Sequence, residues 1–226
     1  MIFKKSLYKV SIKEINPKNR VLIPENSSCF IGVSLGNPKF DMKYFPSLLN
    51  WVNENFKECV IVIVDYIYRY NLMIEKGFDE EQATRVALDL GEKTKIMLEK
   101  IKPSTKFKIY QWQDNKIAPT LEYKTKFLSS IMSNKQIVRD IETDVTAYLQ
   151  RKNVLFDKKS KSFEYGFNYV LEELTFVNHR VENQNLYSIY PGTQLQIMKN
   201  FSNGKYVINS HLALNQLICI DLKIKK

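Results

Sequence analysis

The sequence predicts an α/β fold, a single domain with a central, mainly parallel sheet of about five strands flanked by helices. Two near-continuous apolar runs, Cys29 to Val33 and Cys59 to Val64, have the length and branched side chains of strands buried on both faces. Between them Tyr44, Phe45, Leu48, Leu49, Val52 and Phe56 recur at helical spacing, so residues 29–64 form a β-α-β unit with parallel strands. At 226 residues and 44% apolar composition, the chain fills one sizeable core and is short for two. It has no internal repeat and, with 7 Gly and 7 Pro, no linker-like stretch, so one domain is expected over residues 1–226.

The remaining elements follow in order. Residues 1–26 are a polar, Lys-rich lead-in with one possible strand, expected to pack peripherally or stay partly mobile. Asp79 can cap a long helix, with Gln82 in the reciprocal position; Ala83, Val86, Ala87, Leu90, Met97 and Ile101 form its apolar stripe, which ends before Pro103. Lys106 to Trp112 alternates as a third strand. Pro119 suits a helix start, and the spacing of Leu121, Phe127, Leu128, Ile131, Ile141, Val145, Tyr148 and Leu149 predicts two helices, or one bent helix, reaching Lys152. A charged loop is expected over Asp157 to Ser162, then a helix around residues 167–174, and two last strands at Leu186 to Ile189 and Leu217 to Leu222.

Lys and Arg number 34 against 24 acidic residues, a formal charge of +10, which favours a polyanionic partner such as RNA, DNA or an anionic membrane surface. Cys29, Cys59 and Cys219 are far apart, with no Cys-x-x-Cys pair and no histidine cluster, so neither disulfides nor a metal site is expected. The first residues lack a sustained apolar stretch, and the run Val60 to Val64 is too short to span a bilayer. A cytoplasmic protein is expected.

Ser34 lies in Gly32-Val33-Ser34-Leu35-Gly36-Asn37, where the first buried strand turns. Flanking glycines tolerate positive φ and let backbone N–H groups approach a substrate carbonyl, which is how a nucleophilic hydroxyl is displayed; tight packing at a strand end would look the same. As the nucleophile elbow of a serine hydrolase the segment fits poorly. One strand and the lead-in precede it, and only His179 and His211, both in polar stretches, are available as a base. Downstream, Tyr169 and Glu173 fall four apart, on one helix face. Taken alone, they are also consistent with a tyrosine reaching the surface and an exposed glutamate.

Together these residues resemble the cyclodipeptide synthases, in which a serine in a Gly-x-Ser-x-Gly-Asn segment takes an aminoacyl group from a charged tRNA and a later Tyr-x-x-x-Glu pair serves the acyl-enzyme. The resemblance runs from about Ser28 to the final strand and carries over Ser34, Tyr169 and Glu173. It also covers Glu122-Tyr123, whose tyrosine is implied to face the pocket, and Tyr190-Pro191, which marks one family subgroup, whereas Asn37 is the residue of the other. It implies a Rossmann-like domain akin to class I tyrosyl- and tryptophanyl-tRNA synthetases. No His-x-Gly-His, Lys-Met-Ser-Lys-Ser or Gly-rich phosphate loop is present, so self-activation of amino acids is not supported.

The implied reaction is ping-pong. The first aminoacyl group moves to Ser34, a second aminoacyl-tRNA supplies the attacking amine, and the dipeptidyl ester cyclises to a diketopiperazine, with no metal or cofactor. An aminoacyl ester is already activated, so orientation, a proton path and oxyanion donors suffice without a histidine. The resemblance also places Phe30, Gly32, Val62 and Trp112 around the first aminoacyl side chain, a setting that favours a hydrophobic residue. For the tRNA body the candidates are Lys93, Lys95, Lys100 and Lys102 on and after the long helix, where Glu92 and Glu99 equally suggest a solvated mixed-charge face, with Arg151-Lys152 and Lys158-Lys159-Ser160-Lys161 as further clusters. A serine hydrolase and a non-catalytic tRNA-binding module are the alternatives. The oligomeric state is open between monomer and dimer.

Overall fold

The structure, a computed structural model, describes residues 8–18, 26–183, 186–206 and 212–226. One six-stranded sheet is formed by β1 (Lys9–Asn16), β2 (Ser28–Ser34), β3 (Glu58–Val64), β4 (Phe107–Gln111), β5 (Tyr187–Tyr190) and β6 (Ile218–Lys225), in the order β1-β6-β5-β2-β3-β4. Every neighbouring pair is parallel except β1 with β6. The sixth strand, β1, comes from the lead-in and sits at the edge, where a bulge between Ile12 and Glu14 interrupts its register with β6.

Both faces of β2 and β3 are covered, which is why their sequences read as unbroken apolar runs. Cys29, Ile31, Val33, Ile61 and Ile63 point into the core under α1 (Phe45–Asn55) and α3 (Glu80–Ile101). Phe30, Val60, Val62 and Val64 face the other core, built by α5 (Lys135–Arg151) and α6 (Lys161–Glu182). Asp79 caps α3 by accepting from the Gln82 N–H at 2.8 Å, as its position predicts. The two helices predicted before Lys152 are separate, α4 (Leu121–Met132) and α5. Thr120, not Pro119, caps the first of them by accepting from the Tyr123 N–H at 3.2 Å.

The helical content exceeds what the sequence predicts in three places. The charged loop is shorter than 157–162, because Ser160 caps α6 and Lys161 and Ser162 already belong to it. A short helix, α2 (Tyr68–Lys76), follows β3, and another, α7 (Gln196–Ser202), follows β5. Neither carries a long apolar stripe: α2 buries only Arg69, Leu72 and Ile74, and α7 has 7 residues.

From β2 the sheet grows one way through β3 and β4 and the other way through β5 and β6. The carboxyl ends of β2 and β5 therefore flank the crevice where the strand order reverses, the usual ligand position in such sheets.

Candidate active site in the cavity at the strand carboxyl ends

Ser34 is the last residue of β2 and lies at the mouth of a cavity of about 440 Å³. The turn after it is closed by the Asn37 N–H, which donates to the Ser34 carbonyl at 3.3 Å. Gly36 has φ +76°, and a Cβ there would stand 2.8 Å from the Tyr68 hydroxyl, so both backbone and space demand glycine. Asn37 then works with both ends of its amide. Oδ1 accepts from the Lys39 N–H at 3.0 Å, capping the single helical turn Pro38–Phe40, and this leaves Nδ2 aimed at the Tyr190 hydroxyl, to which it donates at 2.8 Å. The Tyr190 ring stands edge-on to Phe40 at 5.8 Å, and its hydroxyl shares a hydrogen bond with that of Ser34. Asn37 and Tyr190 are thus direct partners in one network.

Tyr169 and Glu173, one turn apart on α6, line the same cavity from the opposite side. Burial raises the Tyr169 phenol well above its ordinary range, and the neighbouring Glu173 and Tyr190 add to the effect. Burial, reinforced by the Asp144 carboxylate of α5, pushes Glu173 up to about 7. Asp144 also lines the cavity and is held by backbone donors at the start of α7, accepting from the Ile197 N–H at 2.8 Å. Sequence reasoning missed it, since an acid on an amphipathic helix gives no local sign of facing a cavity.

The apolar floor consists of Phe30, Gly32, Val62 and Trp112, all expected there, together with Phe176. A Cβ on Gly32 would meet only Val64 at an ordinary 3.5 Å, so the absence of a side chain here opens space in the cavity instead of relieving a clash. The Trp112 ring stacks on Phe176 with centroids 4.2 Å apart, and behind this pair lies a second cavity of about 280 Å³ that the two rings also wall. At the polar side the Tyr148 hydroxyl donates to Glu75 at 2.8 Å, Lys152 pairs with Glu75 at 2.8 Å, and Arg151 joins the lining.

Other expected residues lie elsewhere. Tyr123 does not line this cavity: its hydroxyl accepts from Asn178 Nδ2 and its ring stands edge-on to His179 at 4.9 Å. His179 is outside the cavity lining too, and His211 lies outside the described residues. None of Lys93, Lys95, Lys100 and Lys102 lines the cavity; Lys93 pairs with Asp89 at 2.6 Å and Lys102 with Glu99. Gly91 packs against Asp65, just past β3, so Lys100 and Lys102 lie roughly 14–16 Å further along α3, toward the amino ends of the strands. Cys29, Cys59 and Cys219 are buried and free. Among the described residues no cluster of three or more His, Cys, Asp or Glu could hold a metal ion, and no helix is long and apolar enough to cross a membrane.

The fold recurs in solved structures. A cyclodipeptide synthase from Fluoribacter dumoffii superposes with a TM-score of 0.79 at 22% identity, covering 96% of this chain and 98% of that one. One from Candidatus Glomeribacter gigasporarum, solved bound to Phe-tRNAPhe, gives 0.59 at 15% identity over 92% and 90% of the two chains. A Mycobacterium tuberculosis protein gives 0.63 at 16% identity over 88% and 86%, and its structure is described as demonstrating that cyclodipeptide synthetases are related to type I tRNA synthetases. No curated protein sequence matches the chain. The cyclodipeptide synthase family model matches residues 12–177, well over half of the sequence, and includes Ser34, Tyr169 and Glu173. The chain therefore belongs to the cyclodipeptide synthase family and is an aminoacyltransferase.

Proposed function

We propose that this enzyme makes diketopiperazines from two aminoacyl-tRNAs through an aminoacyl ester on Ser34. The observation that carries the reading is the shared hydrogen bond of the Ser34 and Tyr190 hydroxyls, fixed by Asn37, in one cavity with Tyr169 and Glu173. Ser34 Oγ attacks the ester carbonyl of the first aminoacyl-tRNA, and the tRNA 3′ oxygen leaves with the proton. Glu173 and Tyr169 hold the α-amino group of the acyl-enzyme, Glu173 as a proton acceptor tuned near neutrality. The amine of the second aminoacyl-tRNA then displaces Ser34 Oγ. The free amine of the resulting dipeptidyl ester closes on its own ester carbonyl, releasing tRNA and the cyclic dipeptide.

The first side chain occupies the floor between Phe30, Val62 and Trp112. Among the described residues this floor carries no charged side chain, so an aliphatic or aromatic side chain gains roughly 1.5–3 kcal/mol from burial while a charged one is penalised. Arg151 and Lys152, at the cavity wall, are better placed than the α3 lysines to meet the nucleotide that carries the ester. The chemistry needs charged tRNA and so places the enzyme in the cytoplasm. A hydrolase reading is disfavoured because no histidine among the described residues lines the cavity.

Mass spectrometry of culture medium after overexpression in a bacterium tests the reading: diketopiperazines with a hydrophobic residue are expected, together with an intact-mass shift of one aminoacyl residue on the protein. Ser34→Ala removes one hydroxyl from the pocket and should abolish product while leaving tRNA binding nearly intact. Full product from Ser34→Ala would overturn the covalent mechanism.

A further inference from the structure

On the rim beside Ser34, two ammonium groups converge on one loop. The bulge in β1 lies between Ile12 and Glu14, and Lys13, the residue left over, reaches across β6 to donate to Thr193 Oγ1 at 2.7 Å. From the other side Lys39, two residues after Asn37, lays its ammonium over the neighbouring Gly192, with Nζ 2.9 Å from where a Cβ would stand. Thr193 and Pro38 both line the cavity, so this convergence lies at its edge. Lys43, four residues after Lys39 in the same segment, stands 5.2 Å from the centre of the Tyr44 ring and 5.8 Å from that of Tyr8. Lys13, Lys39 and Lys43 are exposed, and none joins an ion pair among the described residues. The lysines on and just after α3, by contrast, include two already paired with acids, Lys93 and Lys102, and none of them lines the cavity.

Like charges drawn onto adjacent residues, none of them taken up in an ion pair among the described residues, form a site for an anion, and partly exposed tyrosine rings beside them offer faces to unpaired bases. We propose that the Lys13–Lys39–Lys43 rim binds the phosphodiesters of the single-stranded 3′ end of aminoacyl-tRNA. The ester linkage is thereby delivered to Ser34 across Gly192 and Thr193. This rests on the reading of the chain as an enzyme acting on aminoacyl-tRNA.

The test is binding of a tRNA acceptor-stem minihelix, with and without its unpaired 3′ nucleotides, to the full-length protein and to its Lys13→Gln/Lys39→Gln/Lys43→Gln variant across a salt series. With the 3′ nucleotides present, the variant should bind about tenfold more weakly. Its dependence of log affinity on log salt should be shallower by about two units, at roughly 0.7 for each single-strand phosphate that the lysines no longer neutralise. Without those nucleotides the two proteins should bind equally. Equal binding of the complete minihelix by both proteins, or the same weakening with both minihelices, overturns the proposal alone. Failure of the unaltered protein to bind either minihelix overturns it together with the tRNA reading.

Discussion

Asn37 Nδ2 donates a 2.8 Å hydrogen bond to the hydroxyl of Tyr190, a residue 153 positions away that shares a further hydrogen bond with Ser34. Because the other end of the Asn37 amide is occupied by the Lys39 N–H, the phenol is held from a turn that cannot easily rotate. Asn37→Ala should therefore leave the fold intact but lower turnover about tenfold, the loss of one well-aligned hydrogen bond worth roughly 1–1.5 kcal/mol. The rate of diketopiperazine formation is the measurement, and an unchanged rate would show that Tyr190 needs no such anchor.

In the proposed mechanism Glu173 makes the reaction pH-dependent. As a proton acceptor it must be ionised, so activity should rise with pH through about 7, and Glu173→Gln should remove this limb along with most of the activity. Stability moves in the opposite direction. A carboxyl raised from an ordinary 4.5 to about 7 binds more protons in the folded state across that interval, so its stabilisation is present in full below 4.5 and is lost as pH rises through 7. Chemical denaturation from about pH 5 to about pH 8 should show a decline of about 2 kcal/mol or less in the wild type and a flatter profile in Glu173→Gln.

Trp112 and Phe176 separate the 440 Å³ cavity from the 280 Å³ space behind it. Trp112→Ala removes half of this wall, and the product profile should move towards bulkier first residues more than total turnover falls, at a stability cost of about 3 kcal/mol. Product analysis by mass spectrometry checks this. A profile identical to that of the wild type would remove Trp112 from the specificity pocket.

Lys199 is buried on α7 between Asp221, at 2.6 Å, and Glu14, at 2.7 Å, while Asp221 also accepts from the Gln194 N–H in the cavity wall at 3.1 Å. Lys199→Met would strand the fully buried Asp221 charge and should cost about 3–5 kcal/mol in denaturant titration. Adding Asp221→Asn should recover much of that loss, because the buried charge goes with its partner. No recovery would mean that Lys199 contributes mainly through Glu14.

What the amino-acid sequence determined by itself was whatever local periodicity or local chemistry encodes. The apolar runs at 29–33 and 59–64 announce strands covered on both faces, Asp79 and Gln82 mark the start of α3, and Tyr169 with Glu173 must share a face once they are helical. The turn at Ser34 was legible because Gly36 has to adopt positive φ there. Tertiary structure alone decided what depends on segments distant in sequence. The pairing of Asn37 with Tyr190, the stacking of Trp112 on Phe176, the arrival of Asp144 beside Glu173 and the turning of Tyr123 away from the cavity arise from packing α4, α5 and α6 over one face of the sheet. A side chain's own neighbours in the chain specify its helix or strand, but not which of several buried surfaces it meets when that element docks.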